Sequence, residues 1–155
     1  MNDRVVPDRD VPGAFWVRFG PTQQSFVDPD RPDFLLFEYV QHVAMLLDHT
    51  LLDAPAERRL RVVHIGGAGM TLPRWVAWRR PGTAQVVCEP DAELTDEVRR
   101  KLPLPPRSGI KVRDTDGRAG LAAMTDAWAD VIVVDAFDGA RVPGDLVTAE
   151  CLDEV

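Results

Sequence analysis

The stretch Arg61–Glu89 reads RVVHIGGAGMTLPRWVAWRRPGTAQVVCE, and its reading decides the fold. Val62-Val-His-Ile65 is a short apolar run that ends in Gly66-Gly67. Runs of that length suit a strand covered on both faces. Leu72 to Arg80 reads as a helix, with Pro73 tolerated in its first turn. Gln85-Val-Val-Cys88 is a second apolar run, and Glu89 follows it directly. Strand, glycine turn, helix and strand together predict a βαβ unit with a parallel sheet.

The same alternation continues outward. Pro90-Asp91 opens a helix that runs to about Lys101. A Pro-rich loop over 102–107 leads to a strand at Ile110-Lys-Val-Arg113, and Gly117 to Met124 is a short helix. Asp130-Val-Ile-Val-Val-Asp135 is a fourth strand, and another helix starts at Asp145. Upstream, Phe37 to Asp53 reads as a helix. Val40, Val43, Ala44, Leu47 and Leu51 fall on one apolar face. Ala14–Phe19 and Gln24–Val27 flank Gly20-Pro21 and predict a small hairpin. Residues 1–13 read as a loose lead-in. The expected division is therefore 1–35 for lead-in and hairpin, and 36–155 for a Rossmann-like nucleoside-binding domain.

Bulk properties narrow the function. Apolar residues are 45% and charged residues 28% of 155, ordinary for a globular chain. The net charge of −7 makes nucleic acid a poor partner and leaves room for a cationic small molecule. Cys88 and Cys151 form no disulfide framework, which fits a reducing, cytoplasmic setting. No apolar stretch reaches the roughly 18 residues of a membrane span. His42, His49 and His64 have no second ligand at metal-binding spacing, so no metal is expected.

In open parallel sheets, ligands bind beyond the carboxyl ends of the strands. Four strand ends therefore hold the candidates. Gly66-Gly-Ala-Gly-Met-Thr71 is a tight turn that lets a ligand approach the backbone at Gly66, Gly67 and Gly69. The third glycine of a dinucleotide fingerprint is Leu72 here, which favours a nucleoside over a dinucleotide. Glu89 lies twenty residues past Gly69, where an acid accepts from both ribose hydroxyls. Asp114-Thr-Asp116-Gly117 offers an acceptor for an adenine amine, or simply a helix cap. Asp135 and Asp138 follow the most apolar strand. They suit proton transfer or an ammonium contact, or else serve only turn geometry.

Taken in order, Gln24-Ser-Phe-Val27, Phe37-Glu-Tyr39, the Gly66-Gly67 turn, Glu89-Pro-Asp91, Asp116-Gly117 and the Asp135/Asp138 pair resemble the spermidine synthase family. These are aminopropyltransferases on a class I methyltransferase-like fold. The resemblance covers about residues 23–155. It implies that an aminopropyl group moves from decarboxylated S-adenosylmethionine to a polyamine amine. It further implies Glu89 on the ribose, Asp116 with Gly117 at the adenine, Asp135 as general base, and Asp138, Tyr39 and Gln24 around the amine. The family carries an aspartate where this chain has Gly69, and a polar residue where it has Val40. Without that acid, intact S-adenosylmethionine becomes an alternative co-substrate, and a methyltransferase-like enzyme an alternative function. The family's strand order, 3-2-1-4, leaves Val131–Val134 on an edge. Family chains continue with further strands, so the sheet is expected to be incomplete at its C-terminal end. An apolar edge also invites self-association, so a homo-oligomer, or a non-catalytic interaction module, is a further expectation.

Overall fold

The computed structural model describes residues 3–137 and 141–153. A parallel sheet forms from β4 (Arg61–Ile65), β5 (Ala84–Cys88), β6 (Ile110–Arg113) and β7 (Val131–Val134). Its order is β6-β5-β4-β7, the 3-2-1-4 order expected, with β7 at the edge. Val63 lies opposite Val86 on one side and Ile132 on the other.

The pleat sorts side chains by face. Val62 and Val133 join α1 (Glu38–Leu47) and α2 (Thr71–Arg79) in one core with Leu47, Leu72, Trp75 and Val76. The helix predicted over 37–53 is α1 followed by one π-helical turn over Asp48–Leu52. Val63, Ile65, Val86 and Cys88 face the other way. There they meet Leu146 of a 3₁₀ turn, Gly144–Leu146, and half-buried Leu121 of α4 (Gly117–Ala122). The helix expected from Asp145 is thus split, its α-helical part, α5, spanning Ala149–Asp153.

The N-terminal region departs from expectation. The hairpin is there, as β2 (Phe15–Phe19) and β3 (Thr22–Val27), but Val5–Pro7 adds a third antiparallel strand, β1. Residues 1–13 therefore include a paired segment where a loose lead-in was expected. The cause lies on α3 (Ala92–Lys101), far away in sequence. Glu97 accepts from the amides of Arg4 and Val5, both at 3.0 Å, and the Arg4 guanidinium grips Asp91. Val5 is then buried with Val17, Val27, Leu94 and Val98. A short, charged segment has no local signal for such a distant clamp.

One polar pair is buried inside the first core. His64 Nε2 lies 2.8 Å from Gln85 Oε1, and Gln85 Nε2 donates to the Pro73 carbonyl at 3.0 Å. Both residues are almost fully buried. Burial lowers the His64 pKa from 6.5 to about 4, so the ring is neutral at physiological pH. A depressed histidine contributes stability that is complete above pH 6.5 and is lost as pH falls through 4. Gln85→Leu strands the buried His64 N–H and removes the contact that ties the Pro73 carbonyl of α2 to the sheet. We expect a loss of about 2–4 kcal/mol in urea unfolding at pH 7.5. A change below about 0.5 kcal/mol would mean that the pair is not holding α2 to the sheet.

Candidate functional site

The turn after β4 sets the floor of the site. Gly66 adopts φ +86°, and a Cβ there would lie 2.4 Å from the Asp135 carbonyl oxygen. Only glycine allows β4 and the end of β7 to approach so closely. Gly67 is small for a different reason: its Cβ would lie 2.6 Å from Val87 Cγ1. The Met70 amide donates back to the Gly67 carbonyl at 2.6 Å, closing the turn before α2 begins.

Glu89, at the end of β5, holds this turn in place. Its Oε2 accepts from the amides of Gly67 and Ala68, each at 3.0 Å. Its Oε1 accepts from the Asp91 amide at 3.1 Å. A carboxylate offers about four acceptor positions. Three are engaged by backbone amides, which leaves one for a further donor. Asp116 is the helix cap that one reading of its segment gave. Its Oδ1 caps α4 by accepting from the Ala119 amide at 2.9 Å, and the residue also lines the cavity described next. Gly117 is packed so tightly that a Cβ would fall 2.2 Å from Ile65 Cγ2.

These strand ends surround a cavity of about 350 Å³, within the range of small-molecule sites. Gln24, Gly66, Gly67, Glu89, Asp116, Gly117 and Asp135 all line it. Among the described residues its lining carries five carboxylates, Glu89, Asp91, Asp116, Asp135 and Asp145, and no lysine or arginine. Asp91 is paired with Arg4, which leaves four without such a partner on the cavity wall. Sequence reasoning missed the apolar rim, formed by Phe19 and Phe137 with Leu146. Phe19 is 60% and Phe137 46% exposed. Large aromatics left in solvent beside Gly-Pro and Asp-Gly turns were the available signal.

Asp135 and Tyr39 meet at one corner. The Tyr39 hydroxyl donates to Asp135 Oδ2 at 3.4 Å, and the Tyr39 ring contacts Phe137 edge-on. A small void of about 20 Å³ adjoins this corner, bounded by Gln24, Tyr39, His64 and Asp135. Burial raises the Asp135 pKa to about 6, and the Tyr39 hydrogen bond opposes that rise. Burial, and then the Asp135 charge, push the Tyr39 phenol above its ordinary value. A carboxylate with a pKa near 6 is ionised at neutral pH, yet basic enough to receive a proton.

One expected residue falls elsewhere. Gly69 turns away from the cavity, its amide donating to Ser25 Oγ at 3.2 Å. A Cβ at Gly69 would lie 2.7 Å from Val27 Cγ2, so the N-terminal sheet occupies the space an acid would need. Asp138 lies outside the described residues. Among the described residues no cluster of His, Cys, Asp and Glu could hold a metal ion, and no helix is long and apolar enough to cross a membrane.

A probable spermidine synthase from Corynebacterium glutamicum ATCC 13032 is similar in structure, with a TM-score of 0.85 and 28% identity. The match covers 97% of this chain and 54% of that one, so this chain spans about half the length of that relative. Human methyltransferase-like protein 13, solved in complex with SAH, gives a TM-score of 0.62 at 22% identity. It covers 77% of this chain and 59% of that one, and at this identity it speaks for the fold alone. No family model matches the sequence, and no curated protein matches it. The chain has a class I methyltransferase-like α/β fold with a small antiparallel N-terminal sheet. Within that class its architecture is spermidine synthase-like.

Proposed function

We propose that this chain carries the donor site of an aminopropyltransferase, binding decarboxylated S-adenosylmethionine and passing its aminopropyl group to a polyamine amine. The observation that carries this reading is the sign of the cavity. Among the described residues its walls hold carboxylates and no basic side chain, which suits a donor with two positive charges and a cationic acceptor. Intact S-adenosylmethionine adds a carboxylate that this wall repels.

In this reading the adenosine lies between the glycine turn, Glu89 and Asp116. The amine enters past Tyr39. Asp135 takes a proton from the ammonium, and the freed nitrogen attacks the aminopropyl carbon bonded to sulfur. The carbon–sulfur bond breaks, its electron pair stays on sulfur, and methylthioadenosine leaves neutral. Asp138 is proposed to help hold the acceptor, and Gln24 lines the same corner.

The experiment is incubation with putrescine and either donor. We expect methylthioadenosine and an aminopropylated amine from the decarboxylated donor only. A second reading rests on Gly69, where no acid disfavours the intact donor. It predicts S-adenosylhomocysteine from intact S-adenosylmethionine, and that product would replace the first reading.

Tyr39 gives a pH test. Tyr39→Phe removes the hydrogen bond that holds the Asp135 pKa down, so that pKa rises further. The limb of kcat/KM that climbs with pH should then move upward by about 0.5–1 pH unit. An unmoved limb would separate Tyr39 from the proton transfer.

A further inference from the structure

A second cavity, of about 320 Å³, lies away from the donor site. It forms where the turn between α2 and β5 and the loop between α3 and β6 approach the segment after β3. Those connections enter β5 and β6 at their amino ends, whereas the donor site lies at the carboxyl ends. The two cavities share no lining residue.

Its chemistry is the reverse of the donor site. Among the described residues its lining holds two arginines, Arg74 and Arg107, and no carboxylate. Arg74 is 5% exposed, and among the described residues its partners are backbone carbonyls alone. Nε donates to Gly69, Nη1 to Pro103 and Nη2 to Leu102. A guanidinium has five N–H donors, so two remain for a further acceptor. No ion pair among the described residues neutralises Arg74 or Arg107. A buried cation without a counter-charge is costly, and in a chain of net charge −7 the placement is against the general trend.

The other wall is rigid and apolar. Five prolines line the cavity, and Trp78 stands half exposed beside them. Prolines carry no N–H, and Trp78 offers a flat face, so this wall recognises a body rather than a hydrogen-bonding pattern.

We propose that this cavity binds a small aromatic carboxylate, its ring on Trp78 and the prolines and its charged end on Arg74 and Arg107. The site is independent of the donor reading, because it uses other residues on other connections.

The test is a titration of the folded chain with indole-3-acetate, followed by the chemical shifts of ¹H–¹⁵N amides. Tryptophol, which replaces the carboxylate by an alcohol, is the matched neutral probe. We expect saturable shifts around Trp78 and Arg107 with indole-3-acetate, and affinity at least about tenfold weaker for tryptophol, as loss of one charge-assisted contact implies. Trp78→Leu and Arg107→Gln replace partly solvent-exposed groups at the cavity, and each should weaken indole-3-acetate about tenfold while leaving methylthioadenosine titrations unchanged. Equal binding of the two probes would overturn the proposal, since the arginines would then do nothing. Absence of shifts up to the solubility limit of indole-3-acetate, or shifts confined to the donor cavity, would overturn it as well.

Discussion

Asp135→Asn is expected to lower the transfer rate by about a hundredfold to ten-thousandfold, the usual weight of a positioned general base. The same substitution should leave the fold intact or stabilise it. The Asp135 carboxyl is raised from 3.8 to about 6 by burial. A raised carboxyl contributes stability that is complete below pH 3.8 and lost as pH rises through 6. Above that pH the buried charge costs on the order of 1–3 kcal/mol, reduced by its partial contact with solvent. Asparagine carries no such charge. At pH 7.5 the variant should therefore unfold at equal or higher urea while its activity collapses. It should also lose the rise of kcat/KM through pH 6 that we expect of the wild type. In the donor complex that rise should sit lower, because a bound cation favours the ionised form. A variant that is both less stable and only mildly slower would make Asp135 a structural residue.

Gly66→Ala should have the largest effect on the fold and on donor binding together. The residue has φ +86°, which costs an L-residue roughly 1–2 kcal/mol. Its new methyl would sit 2.4 Å from the backbone carbonyl of Asp135, which has no flexible end to swing aside. Overpacking of this kind adds roughly 1–3 kcal/mol. The sum, about 3–4 kcal/mol, corresponds to a fall in Tm on the order of 10 °C for a chain of this size. Any relaxation must part β4 from the end of β7, moving the glycine turn away from Asp135. Methylthioadenosine affinity should therefore fall by more than about tenfold even at 10 °C, where the variant is still folded. A variant with wild-type Tm and affinity would contradict the close approach of these two strands.

The sheet was legible because each of its strands is a short apolar run next to a turn, and its order followed from the family resemblance. The pleat then placed Val62 and Val63 on opposite faces without further information. The residues that line the cavity were legible wherever a strand end carried its own signal, as at Gly66, Glu89, Asp116 and Asp135. It was not legible where the signal is held by a partner far off in sequence. β1 exists because Glu97 and Asp91 bind Arg4 and Val5, and nothing in residues 1–13 announces that. Gly69 read as part of the site because it belongs to the glycine turn. In three dimensions it faces Ser25 and Val27, which explains its small size by packing. Glu89 was read as a ribose ligand from its spacing. The structure adds that most of its acceptor capacity already fixes the turn. Phe19 and Phe137 were not read as site residues because an aromatic beside a turn-forming sequence is ambiguous until the cavity next to it is known.

The central claim is that a neutral or cationic thioadenosine binds among Gly67, Glu89 and Asp116. Isothermal titration of the folded wild-type chain with methylthioadenosine tests it most directly. We expect saturable one-to-one binding that weakens on Glu89→Leu, with indole-3-acetate neither competing nor displacing. A chain that is folded by circular dichroism and releases no binding heat at any concentration up to the solubility limit would contradict it.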